Sequence, residues 1–148
     1  MARGPADLAS RPPAELARDL VEAGAGEWAE QLVSELERRL ASRPLQRAMR
    51  VWDLSVSKTA RMFGVSRQAF QKWLDARPPA DRLADVARLD RATQLLVDHV
   101  RPTRIPAVVR RPSQRLDGRS PLDAALEGDL DRVVAELERT FDLTRVQP

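Results

Sequence analysis

Apolar residues along this chain recur at three- and four-residue steps, and no segment alternates apolar and polar positions convincingly enough to predict a strand. The pattern predicts an all-α protein. Pro12-Pro13 opens a first helix, PPAELARDLVEA, with Leu16 and Leu20 one turn apart, and Gly24 and Gly26 break it. A second helix is expected over about 27–41, where Trp28, Leu32, Leu36 and Leu40 follow one another at four-residue steps and Glu35 precedes Arg39 by four. Pro44 suits the first turn of a third helix, whose buried stripe would be Leu45, Met49 and Trp52. By the same periodicity Trp28 and Trp52 are assigned to the core.

Further along, Pro78 and Pro79 stop the chain before a long helix expected over about 80–100. Its apolar positions, including Leu83, Val86, Leu89, Leu96 and Val100, cover more than one face. That predicts a central helix packed on two sides, or one that also makes an oligomer contact. His99, near its end, reads as a capping or surface residue rather than a base. Pro102 ends this helix, and residues 101–119 read as a short proline-started helix and a loop. Ser120-Pro121-Leu122-Asp123 gives a capping-box-like start, with Ser120 as N-cap and Pro121 at the first helical position. Gly128 closes that helix. The last helix carries the cleanest stripe in the chain, Leu130, Val133, Val134, Leu137 and Phe141, and residues 142–148 are expected as a free tail. There is no internal repeat or low-complexity block. The expected architecture is a compact helical bundle with a central helix-turn-helix and a small helical C-terminal domain. Its parts are an N-terminal helical pair at 1–43 (a candidate dimerisation element), the helix-turn-helix region at 44–79, and the helical domain at 80–148.

The helix-turn-helix is read from VSKTARMFGVSRQAFQKWL, residues 56–74. Two helices that cross closely need a small residue at the crossing, and Ala60 supplies it. The turn four residues later needs a left-handed or open backbone, which Gly64 adopts without steric cost. Val65 plugs the space between the helices, and Ser66 caps the second one. Ala69, Phe70, Trp73 and Leu74 then share one face, opposite Val56, Ala60 and Phe63. Trp73, beside Phe70, belongs with the core rather than with a stacked base. The other face of the second helix holds Arg67, Gln68, Gln71 and Lys72, long donors and acceptors near the helix N-terminus, the end a recognition helix presents to base edges. Arg suits guanine, Gln suits adenine, and Lys usually contacts phosphate. With Ser66 and Lys58 these residues form the candidate double-stranded DNA site. The competing reading is a hairpin that only makes core.

Charge favours the groove reader. The chain of 148 residues carries a formal net charge of +3. Residues 1–43 contribute −2, residues 44–80 contribute +5, and residues 81–148 contribute zero. From Lys58 to Lys72 there is no carboxylate, whereas the helices at 27–41 and 129–141 mix both signs. A second basic island, residues 101–119, carries six Arg and one Asp, followed by an acidic segment, 120–148, with three Arg and seven Asp or Glu. The island can touch phosphates beside the recognition site, meet an acidic partner, or be neutralised within its own domain.

Other classes lack residues. With no cysteine and one histidine there is no disulfide, thiolate site, imidazole cluster or His-Glu metal spacing, so no metal or other cofactor is expected. AGAGEW is too short and too helix-flanked to be a phosphate loop, and no serine motif has a nearby histidine. A catalytic role is not expected. At 43% hydrophobic and 32% charged the chain can bury a core. No apolar run approaches a membrane span, and MARGPADLAS lacks a signal-peptide core, so the expectation is a cytoplasmic protein.

From the helix-turn-helix onward, the order of elements resembles that of Xre-type antitoxins with a C-terminal toxin-binding domain, the group related to the ParS and MbcA proteins. The resemblance covers about 44–141 and rests on a short helix, an arginine-proline loop and a leucine, glycine, small residue, proline, leucine turn. That turn is Leu116, Gly118, Ser120, Pro121 and Leu122 here. A helix ending in Gly128 and a valine-leucine final helix complete it. Asp117 stands where the family often has a second glycine or another small residue, and FDLTRVQP lacks the glycine expected after the last helix. The resemblance implies a DNA-binding antitoxin of a type II toxin-antitoxin module that neutralises a partner toxin and represses its own operon. Arg110, Arg111, Arg115, Arg119 and Phe141 are then the candidate partner-binding residues. The alternative is a transcriptional or phage-type repressor whose C-terminal helices serve oligomerisation. Either way a homodimer is expected, because one such hairpin reads only a half-site.

Overall fold

The structure, a computed structural model, describes residues 9–142 and, within them, leaves the side chains at 38, 39, 41 and 42 undescribed. Among the described residues there are helices and no strand. Apart from Asp142, the expected tail lies outside them. Internal packing divides the chain at residues 37 and 38.

In the first unit, α1 (Pro13–Glu22) starts on its proline as expected and buries none of its residues. Arg11 clasps Asp19 at 2.6 Å beside it. Gly24, at φ +73°, turns the chain toward α2.

The helix α2 spans Gly26–Trp52 without interruption, with Pro44 inside it. This corrects the expected break into two helices there. Proline removes one N–H and crowds the carbonyl four residues back, yet Leu45, Ala48 and Trp52 are completely buried just beyond it. Tertiary packing on that side holds the helix through its weak point. A second correction concerns Trp28, which is 54% exposed, with Leu32, Leu36 and Leu40 also exposed. The stripe exists, but it is not core. At the other end Asp53, at φ +58°, stops α2, and Leu54 N–H reaches back to the Met49 carbonyl at 2.8 Å.

In the second unit the described residues pack around α5 (Leu83–His99), which buries Val86, Leu89, Ala92, Thr93, Leu95 and Leu96. Its most extensive partner is α8 (Leu130–Asp142), through Leu130, Val133 and Leu137. The expectation of a central helix packed on more than one side is met, since Trp52 of α2 also donates to Thr93 Oγ1 at 3.0 Å in the interior. Thr93 in turn donates to the Leu89 carbonyl at 2.8 Å, leaving neither group stranded. Between these lie α3 (Val56–Met62), α4 (Arg67–Asp75), α6 (Ile105–Val109) and α7 (Pro121–Leu126), with single 3-10 turns at 80–82, 102–104 and 114–116. α3 packs on α4 and also on α7, so helix-turn-helix and C-terminal helices share one core. No helix among the described residues is long and apolar enough to cross a membrane.

Candidate nucleic-acid interface

Local rules build the hairpin. Ser55 caps α3, its Oγ accepting from Lys58 N–H at 3.1 Å, while its carbonyl accepts from the hydroxyl of buried Thr59 at 2.8 Å. Ala60 is buried at the crossing. Gly64 sits at φ +65°, and Val65 N–H returns to the Ala60 carbonyl at 3.1 Å, closing α3 in the left-handed turn the sequence requires. Ser66 Oγ accepts from Ala69 N–H at 3.1 Å and starts α4. Beneath the turn Phe63, Phe70 and Trp73 form an aromatic cluster with ring centroids 5.6–6.0 Å apart. That cluster fixes the face α4 turns outward.

The outward face carries the expected residues: Arg67, Gln68, Gln71 and Lys72 are exposed together on α4, and Lys58 is exposed on α3. Ser66 is exposed too, and its hydroxyl keeps a proton to donate while its oxygen caps. Among the described residues, Lys58, Arg61, Arg67 and Lys72 have no carboxylate within ion-pair distance. Gln71 is the exception to this freedom, donating to Asp75 Oδ1 at 3.2 Å. A row of unneutralised cations and amides over a rigid aromatic base can meet phosphates and base edges.

Two arginines that sequence reasoning did not assign to this region brace it. Arg82 donates to the Phe63 carbonyl at 3.0 Å, at the turn itself. Arg110 donates to the carbonyls of Trp52 and Asp53, each at 2.9 Å, at the C-terminal end of α2 where the chain enters the hairpin. Cations suit helix C-termini because the last carbonyls lack backbone donors. Separations of 19, 57 and 58 positions give no sequence signal for either contact.

The other candidate residues are differently engaged. Besides its helix-end bonds, Arg110 donates to the Pro106 carbonyl at 2.9 Å. Arg115 lies 3.9 Å from Glu136. Arg119 bridges Glu127 at 2.6 Å and Asp129 at 2.9 Å, which raises its pKa, and it also holds the Leu116 carbonyl. Arg111 is exposed on the surface. Phe141 stacks on His99 with centroids 4.4 Å apart and planes 6° from parallel, and His99 Nδ1 lies 2.9 Å from the Leu95 carbonyl. The structure therefore brings Arg115 and Arg119 to carboxylates and Arg110 to backbone, and does not gather all five candidates into one free surface.

The turn at 116–122 has an ordered geometry. Leu116 is buried, Gly118 has φ +80°, and Ser120 Oγ accepts from Asp123 N–H at 3.0 Å. Asp117 is itself left-handed at φ +58°, a backbone conformation that glycine adopts without steric cost. Its carboxylate is held by Arg132 at 2.7 Å, and that hydrogen bond and charge keep its pKa below the ordinary value. Among the described residues no group of three or more His, Cys, Asp or Glu is arranged to hold a metal ion. No family model, curated protein or solved structure matches this chain.

Proposed function

We propose that this chain is a DNA-binding antitoxin that reads an operator with α3 and α4, represses its own operon, and neutralises a partner toxin by direct binding. The observation that carries the DNA reading is the exposed face of Arg67, Gln68, Gln71 and Lys72, with Lys58 and Arg61 beside it and no carboxylate neutralising the four cations among the described residues. Arg67 and Gln71 contact base edges in this reading; Lys58 and Lys72 contact phosphates. The protein acts as a homodimer on two half-sites, in the cytoplasm, by binding rather than catalysis.

The toxin-binding half rests on the resemblance of residues 105–141 to the antitoxin domain, supported by the left-handed Asp117-Gly118 pair and the Ser120 cap. A second reading, a repressor without a toxin partner, is favoured by one observation: Arg115 and Arg119 face carboxylates of their own chain. Co-expression with the product of the adjacent reading frame separates the two. The antitoxin reading predicts co-purification and restored growth, and Arg111→Glu should weaken rescue while leaving DNA binding intact. A harmless neighbour that never co-purifies would leave only the repressor. The full chain must be used, because α7 and α8 bury Leu122, Ala124, Ala125 and Val133 in the core shared with the hairpin.

A further inference from the structure

α4 carries a single carboxylate, Asp75, and it stands at the helix's last residue. That is an unfavourable place for it. A helix C-terminus exposes unpaired carbonyls and favours cations, and a carboxylate on a basic face lowers the attraction of that face for a polyanion. Neither helix stability nor general affinity for DNA accounts for an acid here. Its contact does: Gln71 Nε2 donates to Asp75 Oδ1 at 3.2 Å across one helical turn, with both side chains exposed.

The chemistry of Asp75 fixes which way round Gln71 lies. A carboxylate only accepts, so the end of the amide facing Asp75 is its NH2, and Oε1 faces away. One N–H is committed to Asp75; the second N–H and Oε1 remain. These are one donor and one acceptor, the pair that adenine takes at N7 and N6 in the major groove. Guanine offers acceptors at both N7 and O6, and an amide oxygen held toward O6 repels it. Freed from Asp75, the amide can turn over and offer its NH2 to guanine O6 or thymine O4 instead. Gln68, exposed on the same helix, has no side-chain hydrogen bond among the described residues, so Gln71 alone of the two is oriented.

We propose that Asp75 is a positioning residue that fixes the amide of Gln71 for adenine, and so sets the base that α4 selects. The inference rests on the DNA reading of α4 and adds to it a base identity and the residue that enforces it. Within a groove the pair is shielded from water, where a hydrogen bond to a charged acceptor strengthens. A charge that weakens overall attraction is kept because it disfavours the wrong base.

Duplexes selected from a random library by the full-length wild type locate the adenine, as the position whose preference Gln71→Ala removes. Affinities are then measured for that duplex, for the same duplex with the A·T pair replaced by G·C, and for non-specific DNA. Wild type, Asp75→Ala, Gln71→Ala and the double variant are compared, each checked by circular dichroism for unchanged helix content. Asp75→Ala should lower the preference for adenine over guanine at that pair at least about fivefold. It should bind non-specific DNA as tightly as the wild type or more so, since a negative charge has gone. In the Gln71→Ala background the same substitution should leave base preference unchanged, because Asp75 acts through Gln71. A wild type that selects no sequence would overturn the DNA reading and this inference with it. The inference alone falls if the wild type selects through Gln71 but Asp75→Ala keeps the full preference, or if the base read by Gln71 is not adenine. It falls equally if Asp75→Ala weakens specific and non-specific binding alike.

Discussion

Two stretches of this chain are basic in sequence, 58–72 and 101–119, and their structures differ. In the first, Lys58, Arg61, Arg67 and Lys72 stand on α3 and α4 with no carboxylate partner among the described residues. In the second, Arg115 and Arg119 face Glu136, Glu127 and Asp129, and Arg110 satisfies carbonyls at the end of α2. The difference shows that a local excess of positive charge describes a surface only after the fold has taken what it needs. In the second stretch Arg110, Arg115 and Arg119 serve as struts within the fold, while Arg101, Arg104 and Arg111 stay exposed. Cations on the outer face of a hairpin, whose inner face is aromatic, are left exposed.

The largest expected effect lies at the aromatic base. Phe70 is completely buried, and Phe70→Ala should cost about 3–5 kcal/mol of stability, read by urea denaturation. DNA binding should fall with it although every cation of the first stretch is still present. Binding that survived the loss of folded structure would mean that charge alone suffices. A smaller effect sharpens the contrast between the two stretches. Lys58→Ala should reduce the slope of log affinity against log salt by about 0.9 with stability unchanged. Arg119→Ala should do the opposite, lowering the thermal midpoint and leaving that slope where it was.

The smallest effect concerns acid. Asp117 is held below its ordinary pKa by Arg132, so the folded form binds the carboxylate's proton less readily than the unfolded chain does. Its contribution to stability is present above the unfolded value of about 4 and is lost as pH falls through the lower, folded value. Asp117→Asn, which tolerates the left-handed backbone, should flatten stability against pH in that acid window and leave neutral-pH DNA binding alone. Acid denaturation followed by circular dichroism reads this directly.

Much of this was legible in the sequence where the controlling physics is local. Gly64, Ser66, Ser120 and Gly128 act through their own backbone angles and caps, and each does what its position requires. The exposed row of Arg67, Gln68, Gln71 and Lys72 follows from helical period and the opposing Phe70 and Trp73. Legibility ends where a distant partner decides. Pro44 was expected to begin a helix, but Leu45 and Trp52 carry α2 through it. Trp28 and Trp52 have the same periodicity, and only the latter has Thr93 and a core to meet. The struts made by Arg82 and Arg110 join residues with no pattern in common. A stripe reveals that a face is apolar, and tertiary structure decides whether it is covered.

Sequence-specific DNA binding by the exposed face of α4 decides between a groove reader and a hairpin that only makes core. Operator fragments selected from a random duplex library should be titrated with wild-type protein and with Arg67→Ala and Gln71→Ala, each checked for unchanged helix content. Each variant should lose about 1–3 kcal/mol on the selected sequence, roughly fivefold to 150-fold, with relaxed preference at one base position and little change on non-specific DNA. Variants that bind the selected sequence as tightly and as selectively as the wild type would contradict it.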